Sequence, residues 1–190
     1  MKLIALAGSR RQDSMNVKLV KACVSMINSE QLEAEFVDLA NYEMPLYDGD
    51  LEAEKGLPSS AIELKEKVTN AQALLIASPE YNGSLSPLLK NTIDWISRPV
   101  DGKGSAKDVF GNKVVGIIAA SPGALGGMRG LFHLRDILSG VGCNVIGQQV
   151  AVGSFFKVYN NETQSLEEPI KGRVQSMLDA LVDVTVKLQS

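Results

Sequence analysis

The 190-residue sequence predicts an α/β chain: a doubly wound parallel sheet of five strands with helices on both faces. Three observations carry that prediction. Short apolar runs alternate with longer segments of helical period, the pattern of repeated strand–helix–strand units. Two of the runs, Ala73-Leu74-Leu75-Ile76-Ala77 and Val114-Val115-Gly116-Ile117-Ile118-Ala119, are apolar throughout, as strands covered on both faces must be. No internal repeat or low-complexity linker interrupts the alternation, so residues 1–190 read as one domain. The strand order 2-1-3-4-5 follows by analogy with doubly wound sheets.

The strands fall at residues 2–7, 35–39, 73–78, 113–120 and, split in two, 144–152. Between them, Val20, Cys23, Val24 and Ile27 share one helical face, and Ile62, Leu64, Lys65 and Val68 share another. A final helix carries Ile170, Val174, Met177, Leu178, Leu181 and Leu188 on its buried stripe. Ser165-Leu166-Glu167-Glu168 opens it with capping-box spacing, and Pro169 stands in its first turn. Segments 41–56 and 98–112 break the alternation and read as surface excursions.

Bulk properties remove several partners. Hydrophobic residues make up 45% and charged residues 22%, ordinary for a globular core. A net charge of −3 and a pI of about 5.3 create no field that gathers nucleic acid or an anionic membrane. The apolar N-terminal run is too short to span a bilayer, and Arg10 and Arg11 lie on the wrong side of it for a signal peptide. Cys23 and Cys143 are far apart and form no metal or dithiol motif, so they read as buried thiols in a reducing cytoplasm.

In an open α/β sheet the ligand sits outside the carboxyl ends of the strands, which directs attention to three loops. After the first strand, Gly8-Ser9-Arg10-Arg11-Gln12-Asp13-Ser14-Met15-Asn16 leads straight into a helix, aiming free N–H groups and a positive dipole end at one point. That point suits a phosphate: Ser9, Ser14 and Asn16 add donors, and Arg10 or Arg11 adds charge. The alternative is that Ser14 or Asp13 caps the helix and the arginines are solvated. A P-loop needs Gly and Lys where Asp13 and Ser14 stand, and a dinucleotide fingerprint needs Gly where Arg10 and Asp13 stand.

After the third strand, Ser78-Pro79-Glu80-Tyr81-Asn82-Gly83-Ser84 contains a tight turn, and Ser86-Pro87 starts a helix. Such a turn exposes alternating backbone donors and acceptors, matching a flavin's pyrimidine edge; Glu80 and Asn82 are candidates to supplement it. Ser121-Pro122-Gly123-Ala124-Leu125-Gly126-Gly127 follows the fourth strand, with small residues that admit a flat ring and N–H groups that favour an anion. Singly, each loop also reads as an ordinary connection; together they converge on one ligand site.

The combination of Gly8-Ser9-Arg10, Ser14 and Asn16 with Pro79-Glu80-Tyr81-Asn82-Gly83-Ser84, Leu89-Lys90-Asn91 and Asp94-Trp95 resembles the NAD(P)H-dependent FMN reductases that include bacterial chromate and quinone reductases. The resemblance implies a flavodoxin-like fold with FMN phosphate in the first loop, held by Ser9, Arg10, Ser14 and Asn16, with Met15 in the same site. Pro79, Glu80, Tyr81, Asn82 and Gly83 would line the ring, with Ser121 and Gly123 behind it. It further implies NAD(P)H as co-substrate, a small acceptor such as free flavin, quinone or chromate, and a homodimer or homotetramer. Arg98, Arg129 and residues 155–159 are then interface candidates.

Hydride chemistry on a flavin needs no side-chain general base, consistent with a sequence that shows no triad and no metal cluster. His133 reads as a packing or interface residue and Trp95 as core or edge packing. Two alternatives share the fold: a flavodoxin-type electron carrier, whose strong acidity and aromatic sandwich are not visible here, and a non-catalytic flavin-binding sensor. A receiver domain needs acidic residues where Gly8-Ser9 and Pro79-Glu80 stand.

Overall fold

The apolar strands demand cover on both sides, and the chain supplies it. In the computed structural model, which describes residues 1–189, Leu3, Ala5 and Ala7 enter one buried cluster and Ile4 and Leu6 another. The period-2 geometry of a strand sends alternate side chains to opposite faces, so the sheet lies between two cores.

The first half of the chain runs β1 (Lys2–Ala7), α1 (Met15–Met26), β2 (Glu33–Val37), α2 (Gly49–Lys55), α3 (Ser59–Thr69), β3 (Ala73–Ala77) and α4 (Pro87–Ile96). Then come α5 (Ala106–Phe110), β4 (Val114–Ala120), α6 (Met128–Gly140) and β5 (Asn144–Val152). The chain ends with α7 (Phe155–Val158), β6 (Tyr159–Asn160), β7 (Ser165–Leu166) and α8 (Ile170–Gln189). β1 to β5 form a parallel sheet in the order β2-β1-β3-β4-β5, as the sequence predicts. Leu19, Val20 and Cys23 of α1 pack with Val174, Met177 and Leu181 of α8 on one face. Leu64 of α3, Leu89 of α4 and Leu131 of α6 cover the other. This is the flavodoxin-like architecture.

Four expectations need adjustment. β2 starts two residues earlier than expected and ends before Asp38, whose carboxylate caps a 3-10 turn at Leu39–Asn41 by accepting from Ala40 N. Leu39 is buried by that turn rather than by the strand. The capping box expected at Ser165 does not form, because Ser165 and Leu166 pair with Asn160 and Tyr159 in a hairpin and α8 begins at Ile170. Leu188, expected on the buried stripe, is exposed. Finally, the excursion at 98–112 is not all surface: α5 places Val109 and Phe110 in the core.

The expected split in β5 is a register shift, since Val115 pairs with Val145 but Ile117 pairs with Gln149. Lys65 is an odd residue for a buried helical face, and its surroundings explain it. Its ammonium reaches past the apolar stem to donate to the carbonyls of Arg98 and Gly104, pinning the start of the second excursion.

Candidate functional site

Parallel strands end together, so the loops after β1, β3 and β4 meet at one edge of the sheet. Their closeness depends on Gly8. A Cβ there would stand 2.6 Å from Ser86 Oγ and 2.8 Å from Leu89 Cβ, so only glycine lets the first loop approach α4. Ser86 completes the junction: its Oγ donates to Gly8 O at 2.6 Å and accepts from Leu89 N at 3.2 Å as the N-cap of α4.

In the first loop Ser14 is the N-cap of α1 and accepts from Val17 N at 3.4 Å. The capping reading therefore holds, yet it leaves donors over. Among the described residues, the N–H groups of Arg10, Gln12, Asp13, Met15 and Asn16 have no protein acceptor. Those of Met15 and Asn16 open the first turn of α1, at the positive end of its dipole, where a phosphate is favoured.

Asn16 is almost wholly buried and spans two loops. Its Nδ2 donates to Ala120 O at 3.0 Å, and its Oδ1 accepts from Ala120 N at 2.9 Å. One side-chain N–H remains for a ligand. The two arginines differ more sharply. Arg10 donates through Nε to Leu39 O at 3.3 Å and through Nη2 to Tyr42 O at 2.8 Å, which ties it to the chain after β2. Arg11, beside it, has no side-chain partner among the described residues.

In the second loop Asn82 and Gly83 both have positive φ, 52° and 83°, as a two-residue type I′ turn requires. Tyr81 N donates to Ser84 O at 2.9 Å and Ser84 N donates back to Tyr81 O at 3.1 Å, leaving Tyr81's ring half exposed. The Glu80 carboxylate is already engaged. It accepts from Arg129 Nε at 2.7 Å and, at the N-terminus of α6, from the amides of Arg129 at 3.1 Å and Gly130 at 3.4 Å. An anion is favoured there by the helix dipole, so Glu80 offers a ligand its main chain rather than its carboxylate. His133 Nδ1 lies 3.0 Å from Ser84 Oγ and braces the same turn.

The third loop spends part of its donors internally, and the N–H groups of Ala124, Leu125 and Gly127 have no acceptor among the described residues. Ser121 Oγ accepts from Gly123 N at 3.1 Å, while Gly123 O accepts from Gly126 N and Ser154 N. The nest expected at Gly123 is therefore closed at that amide.

A cavity of about 200 Å³ lies between the loops. Ser9, Arg11, Ser14, Met15 and Asn16 form its first wall, and Pro79, Glu80 and Tyr81 its second. Ala120, Ser121 and Pro122 close it. Arg10, Asn82, Gly83 and Gly123 stand outside this lining. A second cavity of about 470 Å³ opens on the far side of the first loop and shares Ser9, Arg11 and Ser14.

The interface expectations change as well. Phe155 and Tyr159 are buried and stack with centroids 4.8 Å apart, leaving Phe156 and Lys157 of that segment exposed. Arg98 is paired with Glu52 at 2.9 Å, and Arg129 with Glu80. Trp95 is core, its Nε1 donating to Pro45 O at 2.8 Å. Burial pushes the Cys23 and Cys143 thiols up to about 12, so neither is a nucleophile.

This fold agrees with the chain's relatives. The sequence model described as NADPH-dependent FMN reductase matches residues 1–157. The chain belongs to the NADPH-dependent FMN reductase family. The reductase is 30% identical over 182 residues to an NAD(P)H-dependent FMN reductase of Pseudomonas aeruginosa, covering 95% of this chain and 93% of that one. It is 30% identical over 194 residues to NADPH:quinone oxidoreductase of Arabidopsis thaliana, covering 100% and 94%. The solved structure of FerB, a flavoenzyme NAD(P)H:(acceptor) oxidoreductase from Paracoccus denitrificans, aligns with a TM-score of 0.83 at 29% identity, over 98% of this chain and 97% of that one. The reductase is thus an oxidoreductase that uses FMN and NAD(P)H.

Proposed function

We propose that residues 1–190 act as one domain that holds FMN by its phosphate in the loop after β1 and passes electrons from NAD(P)H to a quinone or free flavin. The observation that carries this reading is the group of amides without acceptors at the start of α1, with the unpaired Arg11 beside them. That donor set fits a phosphate dianion. When bound, FMN supplies two-electron chemistry between a nicotinamide and an acceptor.

The chain's own part is placement. Ser9, Ser14, Met15 and Asn16 surround the phosphate, and Arg10 holds that loop against the chain after β2. The main chain of Pro79, Glu80, Tyr81, Asn82 and Gly83 lines the ring edge, with Ser121 and Gly123 behind it. No general base is needed, which leaves the exposed side of the cleft free for a planar acceptor.

The quinone assignment draws on the relatives named quinone reductases, and chromate belongs to the same class of acceptor that asks little of side chains. No helix among the described residues is long and apolar enough to cross a membrane. The buried, protonated thiols suit the cytoplasm. A homodimer fits the face of α6, which exposes Phe132 and Met128 beside an apolar groove rimmed by Lys90 and Asp136. A two-fold axis there would set Lys90 of one copy against Asp136 of the other. Sedimentation of the wild type and Phe132→Glu tests this, with a monomeric wild type contradicting it.

The test of the main reading is a visible spectrum after FMN is added and the excess removed, followed by anaerobic NADPH or NADH and then 1,4-benzoquinone. A retained flavin band that bleaches in one two-electron step and returns with the quinone supports it. Retained flavin that ignores both nucleotides would favour a carrier or sensor.

A further inference from the structure

We propose that the cavity on the outer side of the phosphate loop is a nucleoside-phosphate subsite continuous with the FMN phosphate site. The inference rests on the flavin reading above for what occupies the inner cavity. The outer cavity, about 470 Å³, falls in the range of about 300–1,000 Å³ usual for small-molecule sites. It shares Ser9, Arg11 and Ser14 with the inner one, so the two cavities flank the same loop.

Its charge suits further phosphate. Arg10, Arg11, Lys18 and Lys21 line it against Asp13 and Asp38, a surplus of cations. Lys18 Nζ lies 3.1 Å from Asn161 Oδ1 and 3.6 Å from Asp13, and Lys21 Nζ lies 5.1 Å from the Phe36 ring centroid. None of the lysine contacts is a tight ion pair, and Arg11 has no side-chain partner among the described residues, so an incoming anion displaces little from these three, whereas Arg10 stays held by Leu39 O and Tyr42 O.

The opposite wall suits a ribose. Asp38 stands just past the carboxyl end of β2, and its Oδ1 accepts from Ala40 N at 2.9 Å. Its other oxygen is left to accept from a diol. An acidic side chain at the end of the strand beside a phosphate loop is how dinucleotide-binding sheets take a ribose.

The outer wall is the β6–β7 hairpin, through Tyr159, Asn161 and Gln164. The family model ends at residue 157, so this wall comes from a segment beyond it. Asn161 and Gln164 bring amides that both donate and accept, as a base edge requires. Two sources carry this chemistry: the adenylyl half of FAD, joined through the flavin phosphate, and the adenosine phosphate end of the co-substrate.

Calorimetry on the full chain tests the subsite with FMN, FAD and ADP, using wild type, Lys18→Ala/Lys21→Ala and Gln164→Ala. If FAD is the source, it binds about tenfold more tightly than FMN, and the lysine variant brings the two within about twofold. If the co-substrate is the source, ADP binds the FMN-loaded protein in competition with NADPH, and the lysine variant weakens it about tenfold. The proposal is overturned if FAD has no advantage and ADP fails to bind up to about 5 mM, or if either gain survives in both variants. Failure of FMN to bind contradicts the flavin reading instead, and ADP titrated into the flavin-free protein then decides the subsite on its own.

Discussion

The loops after β1 and β4 lie at the same end of the sheet but spend their backbone to different degrees. Among the described residues the first holds five amides without acceptors and an arginine without a side-chain partner, whereas the second leaves the amides of Ala124, Leu125 and Gly127 free but closes Gly123 N onto Ser121 Oγ and Gly123 O onto two further amides. Amides without protein acceptors leading into a helix N-terminus are open to an anion, while the bonds around Gly123 hold the loop after β4 in shape. Binding energy is therefore concentrated in the first loop, and the loop after β4 contributes shape.

The largest expected effect comes from the residue that joins the two. Asn16→Ala removes both bonds to Ala120 and leaves buried backbone groups unpaired, so urea unfolding should show a loss of about 2–3 kcal/mol. An unchanged midpoint would mean the loops are held together by other contacts. Next, Arg11→Ala should raise the Kd for FMN by about tenfold or more while leaving riboflavin, which lacks the phosphate, unaffected. Arg10→Ala should act mainly on stability, costing about 1 kcal/mol through the lost bonds to Leu39 O and Tyr42 O, with a smaller effect on FMN. If Arg10→Ala and Arg11→Ala weaken FMN equally, the contrast between the two arginines is wrong.

Smaller still is Ser121→Ala, whose hydroxyl is occupied by Gly123 N; flavin affinity should stay within about twofold. The smallest effect is at the thiols. With both held at about 12 by burial, Cys23 and Cys143 should resist a thiol reagent at neutral pH in the native protein and react once unfolded.

The parallel sheet covered on both faces was legible because β3 and β4 are apolar without interruption, while its strand order came by analogy with doubly wound sheets. Local period was a weaker guide where a turn competes with a strand. Leu39 looks like the end of β2, but Asp38 diverts it into a 3-10 turn; Ser165 has capping-box spacing, yet pairing with Asn160 makes it a strand. The convergence of the loops was legible, since residues from all three meet in one cavity. Which of two adjacent arginines is free was not, because that depends on the carbonyls of Leu39 and Tyr42, about thirty residues away in sequence. Nor does spacing reveal that Glu80 caps α6, a contact made across the sheet end.

The account depends most on the loop after β1 as the phosphate site. Its most direct test is the affinity of the wild-type chain for FMN against riboflavin, measured by quenching of flavin fluorescence. FMN binding at least about a hundredfold more tightly is the predicted result, because the phosphate alone meets the free amides and Arg11. Equal affinities would contradict it.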